Sequence, residues 1–128
     1  MSERCGVVVA HSRLAEGLLA ALARVAGEQE NLWAVSNHGL DGDELYEEIA
    51  GILEERGAGR DAYLLSDMDG GSCGQVCRRL LADGRVRGVF FGVNLPLLVE
   101  FVFLQVESPE EFVTATVEKS RKALGARP

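Results

Sequence analysis

A histidine and an aspartate-rich loop are the parts of this sequence whose residue types suit group-transfer chemistry. His11 follows directly after a short apolar run and precedes a helical pattern. An imidazole titrates near neutral pH, and its free ring nitrogen is a good nucleophile toward phosphorus. Position alone leaves a second interpretation open, in which His11 only caps the helix or satisfies a backbone group.

The second candidate is the loop with the sequence DMDGGS, which ends at Ser72. Gly70 and Gly71 permit a tight bend, and Ser72 can cap the next helix, so the loop could offer N–H groups and a hydroxyl to a phosphoryl oxygen. Asp67 could accept a hydrogen bond from one imidazole nitrogen and leave the other free to attack. Asp69 would either repel an anion or remain solvated.

Strand and helix patterns alternate along the chain and place these residues. Apolar runs predict strands, and three-to-four spacing of apolar residues predicts helices. The predicted strands are Cys5–Ala10, Leu32–Ser36, Ala62–Ser66 and Val86–Gly92. Three helices are predicted between them: Leu14–Ala26, a helix that is capped by Asp43 and runs through Leu53, and Cys73–Ala82. Two more follow the last strand: an apolar helix that follows Asn94-Leu95-Pro96 and runs to about Val106, and a helix that is capped by Ser108 and runs to about Leu124.

Strands that are apolar on both faces and are joined by helices predict an α/β fold. We expect a doubly wound open sheet of four parallel strands with helices on both faces. In such a sheet a ligand binds beyond the carboxyl ends of the strands, next to helix N-termini that attract anions. His11, Asn37, Asp67 and Asn94 directly follow, or closely follow, the predicted strand ends.

Composition limits the possible functions. The chain has 128 residues, a length typical of one domain, with 47% hydrophobic residues and a net charge of −7. These values exclude a disordered chain and argue against nucleic acid or an anionic membrane as the main partner. Residues 28–69 carry 12 acidic residues against two arginines. This acidic block is interpreted either as a solvated surface or as a surface that steers a basic protein partner.

Three cysteines and the start of the chain favour a reducing, cytoplasmic location. Cys5, Cys73 and Cys77 form an odd set, no secretory leader precedes them, and Val7–Ala10 is too short to cross a bilayer. Cys73 and Cys77 would share a helix face, but two thiols alone make a poor zinc site. We therefore expect packing roles for them, with a redox pair as the alternative, and neither a metal nor a cofactor.

Nucleotide and magnesium chemistry lack the necessary motifs. Asp67-x-Asp69-Gly70 is similar to the nucleophile loop of haloacid dehalogenase phosphatases, but Gly71 stands where Thr or Val is expected, and no later Asp pair is available for magnesium. Neither a phosphate-binding G-x-x-x-x-G-K-[ST] loop nor a G-x-G-x-x-G motif is present.

Four segments, in order across the whole chain, resemble the mannose-family IIA component of the bacterial phosphoenolpyruvate-dependent sugar phosphotransferase system. Gly6–Leu19 (GVVVAHSRLAEGLL) resembles the family's strand, histidine and Leu-Ala-Glu-Gly helix start, and Gly27–Asn31 (GEQEN) resembles its G-E-Q-x-N turn. Asp67–Ser72 matches D-x-x-G-G-S, and Gly92–Glu100 (GVNLPLLVE) is similar to G-[VI]-N-[LI]-P-M-L-x-E.

The resemblance implies a function for each site residue. His11 would take a phosphoryl group on Nε2 from the carrier protein HPr and pass it to a histidine of a IIB component. Asp67 would hold the Nδ1 side of the ring. Ser72, with Gly70 and Gly71 at the following helix start, would receive phosphate oxygens.

The resemblance also implies an assembly. Residues 1–128 would form one IIA domain that works in the cytoplasm, within a membrane-associated complex but without inserting into the membrane. The family forms homodimers in which a C-terminal strand crosses to the partner's sheet. Lys122–Ala126 is the candidate for that strand, although Gly125 disfavours it.

Four residues near the predicted site depart from the family pattern. Asp69 replaces an aromatic residue, Cys73 a proline, Gln75 an asparagine and Ser12 a glycine. Two alternatives therefore stay open. One is the phosphotransfer subunit of a phosphoenolpyruvate-dependent dihydroxyacetone kinase, and the other is a non-catalytic regulatory binding module of the same fold.

Overall fold

The computed structural model describes residues 4–128. Strands and helices alternate through the first four strands, and two helices close the chain. The elements are β1 (Arg4–Ala10), α1 (Leu14–Ala26), β2 (Leu32–Ser36), α2 (Gly42–Arg56), β3 (Asp61–Ser66), α3 (Gly71–Ala82), β4 (Gly88–Phe91), α4 (Leu95–Phe103) and α5 (Pro109–Arg121).

The four strands form one parallel sheet in the order β2-β1-β3-β4, which confirms the predicted fold class. Side chains alternate along β1, so Val7 and Val9 face one side and Val8 and Ala10 face the other. The first side packs against α2 and α3, and the second against α1, α4 and α5. β2 pairs with one edge of β1, and β3 pairs with the opposite edge of β1. A topological switch point therefore lies between β1 and β3.

Two helix starts differ from the predictions. Asp43 does not cap α2, because Asp41 takes that position: its carboxylate accepts from the Glu44 N–H at 2.8 Å, and Glu44 accepts in return from the Asp41 N–H at 3.0 Å. Ser72 does not cap α3, because the extended backbone of Gly70 forms the N-cap and the helix begins at Gly71.

Three elements are shorter than predicted. β4 is confined to Gly88–Phe91, α4 ends at Phe103 instead of Val106, and α5 ends at Arg121. The chain after α4 is held by Arg4, whose guanidinium donates to the carbonyls of Leu104 and Val106. These bonds join the start of β1 to the segment that follows α4.

The C-terminal residues 122–128 form no strand within this chain. The predicted pairing of Lys122–Ala126 with a second copy therefore stays a prediction. Among the helices in residues 4–128, none has the length and apolar character needed to span a membrane.

Candidate functional site

His11 and Asp67 meet at the switch point between β1 and β3. His11 directly follows β1 and Asp67 directly follows β3, and the paired strand ends bring them together. Asp67 Oδ2 accepts from the His11 backbone N–H at 2.9 Å and lies 2.7 Å from His11 Nδ1. A carboxylate only accepts hydrogen bonds, so Nδ1 carries the proton. Nε2 of the neutral ring is then the free, nucleophilic nitrogen.

Exposure differs between the two side chains. The Asp67 side chain is 8% exposed, whereas that of His11 is 43% exposed. The carboxylate is therefore buried behind the ring, and the ring remains accessible to another protein. This arrangement suits a residue that exchanges a group with a partner.

The N-terminus of α3 lies against the Nε2 side of the His11 ring. A Cβ placed on Gly71 would lie 3.4 Å from both Cε1 and Nε2 of His11. Gly71 also has a positive φ of 75°, a conformation that glycine adopts without strain. The first N–H groups of α3 have no intrahelical partners and favour an anion, so the free ring nitrogen lies next to an anion-attracting helix end.

Ser72 is in the first turn of α3, and its hydroxyl is held by Asn37. The side-chain amide of Asn37 donates to Ser72 Oγ at 3.0 Å. Asn37 follows β2, the neighbour of β1. The sequence pattern places it among the polar residues that follow predicted strand ends. Nothing in the sequence indicates its contact with Ser72. Asn94, in contrast, caps α4 by accepting from the Leu97 N–H at 2.9 Å.

The end of β2 also supports the loop after His11. Ser36 Oγ donates to the Ser12 carbonyl at 2.6 Å. Ser12 has a φ of 55° and is the one non-glycine residue with a positive φ in residues 4–128. The second histidine, His38, is exposed and lies in the loop that follows β2.

Asp69 is paired with an arginine. Arg78, on the next turns of α3, forms an ion pair with the Asp69 carboxylate, and its guanidinium carbon lies 4.9 Å from the centroid of the Phe91 ring. The charge of Asp69, which on the sequence alone would repel an incoming anion, therefore has a cationic partner.

Charges that are separated in the sequence meet in the fold. Four arginines of α3 and the segment that follows it each contact an acid of the 28–69 block. The pairs are Arg78–Asp69, Arg79–Asp43, Arg85–Glu54 and Arg87–Asp61. Most of these side chains are exposed, so the pairs contribute little to stability, but each pair offsets one acidic charge of the block locally.

Cys73 and Cys77 are fully buried beneath the site. Burial raises the pKa of Cys73 to about 11, and the nearby Asp67 carboxylate adds to that shift. Burial also raises the pKa of Cys77 to about 12. Cys73 Sγ, a ring nitrogen of His11 and a carboxylate oxygen of Asp67 lie within 4.8 Å of one another, so these three residues could hold a metal ion.

Similarities to known proteins extend over nearly the whole chain. Residues 6–118 match the EIIA-man family, described as the PTS system fructose IIA component. The PTS system mannose-specific EIIAB component of Escherichia coli (strain K12) is 33% identical over 128 residues, covering 95% of this chain and 40% of that protein. The chain thus spans about two fifths of the length of the curated relatives it matches.

Solved structures share the fold. The phosphotransferase system component EIIA from Streptococcus agalactiae superposes with a TM-score of 0.84 at 22% identity, with 96% of each chain covered. The mannose/sorbose-specific IIA subunit from Enterococcus faecalis superposes with a TM-score of 0.82 at 22% identity, covering 100% of this chain and 96% of that one. At these identities the likeness is one of fold.

Proposed function

This chain belongs to the EIIA-man family of IIA components of the sugar phosphotransferase system, and from that premise we propose that His11 is its phosphoryl carrier residue. The observation that carries the proposal is the contact of His11 Nδ1 with the buried Asp67 carboxylate at 2.7 Å. This contact leaves Nε2 as the nucleophile and directs it toward the N-terminus of α3.

In the proposed step, Nε2 of His11 attacks the phosphorus of a phosphohistidine on the donor. The phosphorus–nitrogen bond of the donor breaks as the new bond to Nε2 forms, and Nδ1 keeps its proton throughout. Positive charge that develops on the ring is stabilised by Asp67. The N–H groups at Gly70, Gly71 and Ser72, together with the Ser72 hydroxyl, stabilise the transferred phosphoryl oxygens.

We propose HPr as the donor and a IIB component as the acceptor. The name of the E. coli relative, EIIAB, joins a IIA with a IIB function, which favours IIB as the acceptor. Residues 1–128 would then act as one cytoplasmic IIA domain in a homodimer. No cofactor enters this step, because the chemistry is a direct exchange between two imidazoles.

The test is phosphate transfer from phosphoenolpyruvate through the first enzyme of the system and HPr to this chain. We expect an acid-labile phosphate in the wild type and in His38→Ala, and none in His11→Ala. Since the sequence contains two histidines, His38→Ala is the matched control. We expect Asp67→Asn to slow transfer by about 100-fold, because ring orientation and charge compensation are lost.

A folded His11→Ala protein that still accepts phosphate would contradict the proposal. A wild-type protein that binds a partner but takes no phosphate would also contradict it, and would favour the regulatory binding module instead.

A further inference from the structure

Cys73 brings a thiol to the residues that form the proposed phosphoryl site. It lies in the first turn of α3, is fully buried, and has its sulfur within 4.8 Å of ligand atoms of His11 and Asp67. The four-residue spacing of Cys73 and Cys77 predicts only that the two thiols share a helix face, and it indicates no further metal ligand. The fold supplies two others from the ends of β1 and β3.

Asp67 has one carboxylate oxygen available for such an interaction. Oδ2 interacts with the backbone N–H and Nδ1 of His11, whereas Oδ1 is buried and has no hydrogen-bond partner among the described residues. A buried carboxylate oxygen without a partner is unfavourable, because it has lost its hydration. A bound cation would compensate for that loss.

We propose that His11, Asp67 and Cys73 form a binding site for a thiophilic divalent cation of the Zn²⁺ class. Imidazole nitrogen, carboxylate oxygen and thiolate sulfur are the donor types that such ions take in proteins, and three protein ligands with one open position are a known arrangement for zinc. The thiol releases its proton to solvent when the ion binds. One thiolate and one carboxylate then balance the two charges of the ion.

The geometry requires a small adjustment. Ligand atoms around a tetrahedral zinc lie about 3.5 Å apart, and the three atoms lie within 4.8 Å of one another, so they must approach by at most about 1.3 Å. The His11 side chain is 43% exposed, which gives its ring room to move and gives the ion a route from solvent.

The ion would compete with phosphorylation, a consequence that rests on the proposed function of His11. A cation on Nε2 occupies the nucleophile. A cation on Nδ1 displaces the contact with Asp67 that orients the ring. Binding of the ion itself does not depend on phosphotransfer, so it can be tested separately.

The binding test uses Co²⁺ as a spectroscopic probe of the whole chain, followed by displacement with Zn²⁺. We expect one Co²⁺ per chain, with a thiolate-to-cobalt charge-transfer band that Zn²⁺ abolishes. Cys73→Ala should lose the band and weaken Zn²⁺ binding by about 10-fold or more. Cys77→Ala, one helical turn further along and also buried, is the matched control and should keep the band.

Absence of a thiolate band in the wild type, or a band that survives in Cys73→Ala, would overturn the inference. If Cys73→Ala does not fold, His11→Asn decides the matter, because it must also weaken Zn²⁺ binding by about 10-fold or more. In the transfer assay, Zn²⁺ should inhibit phosphoryl transfer to the wild type, and a chelator should restore the transfer. Zn²⁺ that displaces Co²⁺ from the site but does not inhibit transfer would contradict the competition alone.

Discussion

The side-chain amide of Asn37 donates a hydrogen bond of 3.0 Å to the hydroxyl of Ser72. This bond uses the acceptor side of the hydroxyl, so its hydrogen remains available for donation. Ser72 also forms a side-chain hydrogen bond with Cys73, which opposes the rise in the pKa of that thiol. In the proposed transfer step, Asn37 would thereby hold the Ser72 hydroxyl in place as a donor to the phosphoryl group. The bond joins the end of β2 to the first turn of α3.

Replacing Asn37 by Ala should slow phosphoryl transfer by about 5- to 10-fold, the equivalent of about 1 kcal/mol for one oriented hydrogen bond. The rate is measured in the HPr-coupled assay. In a Ser72→Ala background, Asn37→Ala should have little further effect, because the oriented group is already absent. Independent, additive effects of the two substitutions would show that Asn37 acts in another way.

Gly71→Ala should reduce both stability and transfer. The positive φ of 75° makes alanine unfavourable by about 1 kcal/mol, and the new Cβ would lie 3.4 Å from His11 Nε2. Gly59 provides the control, since its φ is 78° and a Cβ there meets nothing within 4 Å. Both variants should lower the free energy of unfolding similarly in urea titrations, but Gly71→Ala alone should slow transfer, by about 10-fold or more. Equal transfer rates in the two variants would show that the close approach of Gly71 to His11 does not affect transfer.

Removing the partner of Asp69 should slow transfer through charge repulsion. Arg78→Ala leaves the Asp69 carboxylate without its ion pair, and an exposed charge of this kind is worth about a 2- to 5-fold change in rate. Asp69→Asn in the same background should restore the rate, and the transfer assay at low salt is the measurement. No recovery in the double variant would indicate that Arg78 acts through its contact with Phe91 instead.

The buried thiols should make the fold less stable at alkaline pH. The pKa of Cys73 is raised to about 11 and that of Cys77 to about 12, above the ordinary 9.0. The folded chain then retains protons that the unfolded chain releases, so the stabilisation is complete below pH 9 and is lost as the pH rises toward about 12.

Urea unfolding at a series of pH values above about 8 measures this loss. Burial also raises the pKa of Tyr63, and a hydrogen bond to Asp83 raises that of Tyr46, so tyrosines contribute a slope of the same sign. The double variant Cys73→Ala/Cys77→Ala isolates the cysteine contribution and should show a shallower fall. Parallel slopes in the two proteins would contradict the assignment.

Much of the fold could be predicted because its signals are local. The apolar runs of β1, β2 and β3 are bounded by polar or glycine residues, and all three strands were predicted to within a residue or two. The start of α2 was misplaced because Asp41 and Asp43 are equally good caps by residue type. Only the backbone conformation of Asp41 and its reciprocal bond with Glu44 distinguish them.

The side-chain contacts of the candidate site depend on parts of the chain that are distant in sequence. The sequence placed His11 and Asp67 at strand ends, but the bond between Asn37 and Ser72 requires the strand order and the start of α3. The position of Cys73 beside them was also missed, since its spacing from Cys77 indicates only a shared helix face. Side-chain pairing across strand ends has no local signal in a single sequence.

The most direct test of His11 as the phosphoryl carrier identifies the phosphorylated atom. After transfer from phospho-HPr, peptide mass spectrometry locates the modified residue, and nitrogen and phosphorus NMR of the intact protein distinguishes the two ring nitrogens. We expect phosphate on Nε2 of His11, because Nδ1 lies 2.7 Å from the Asp67 carboxylate. Phosphate on Nδ1, on His38 or on no histidine would contradict it.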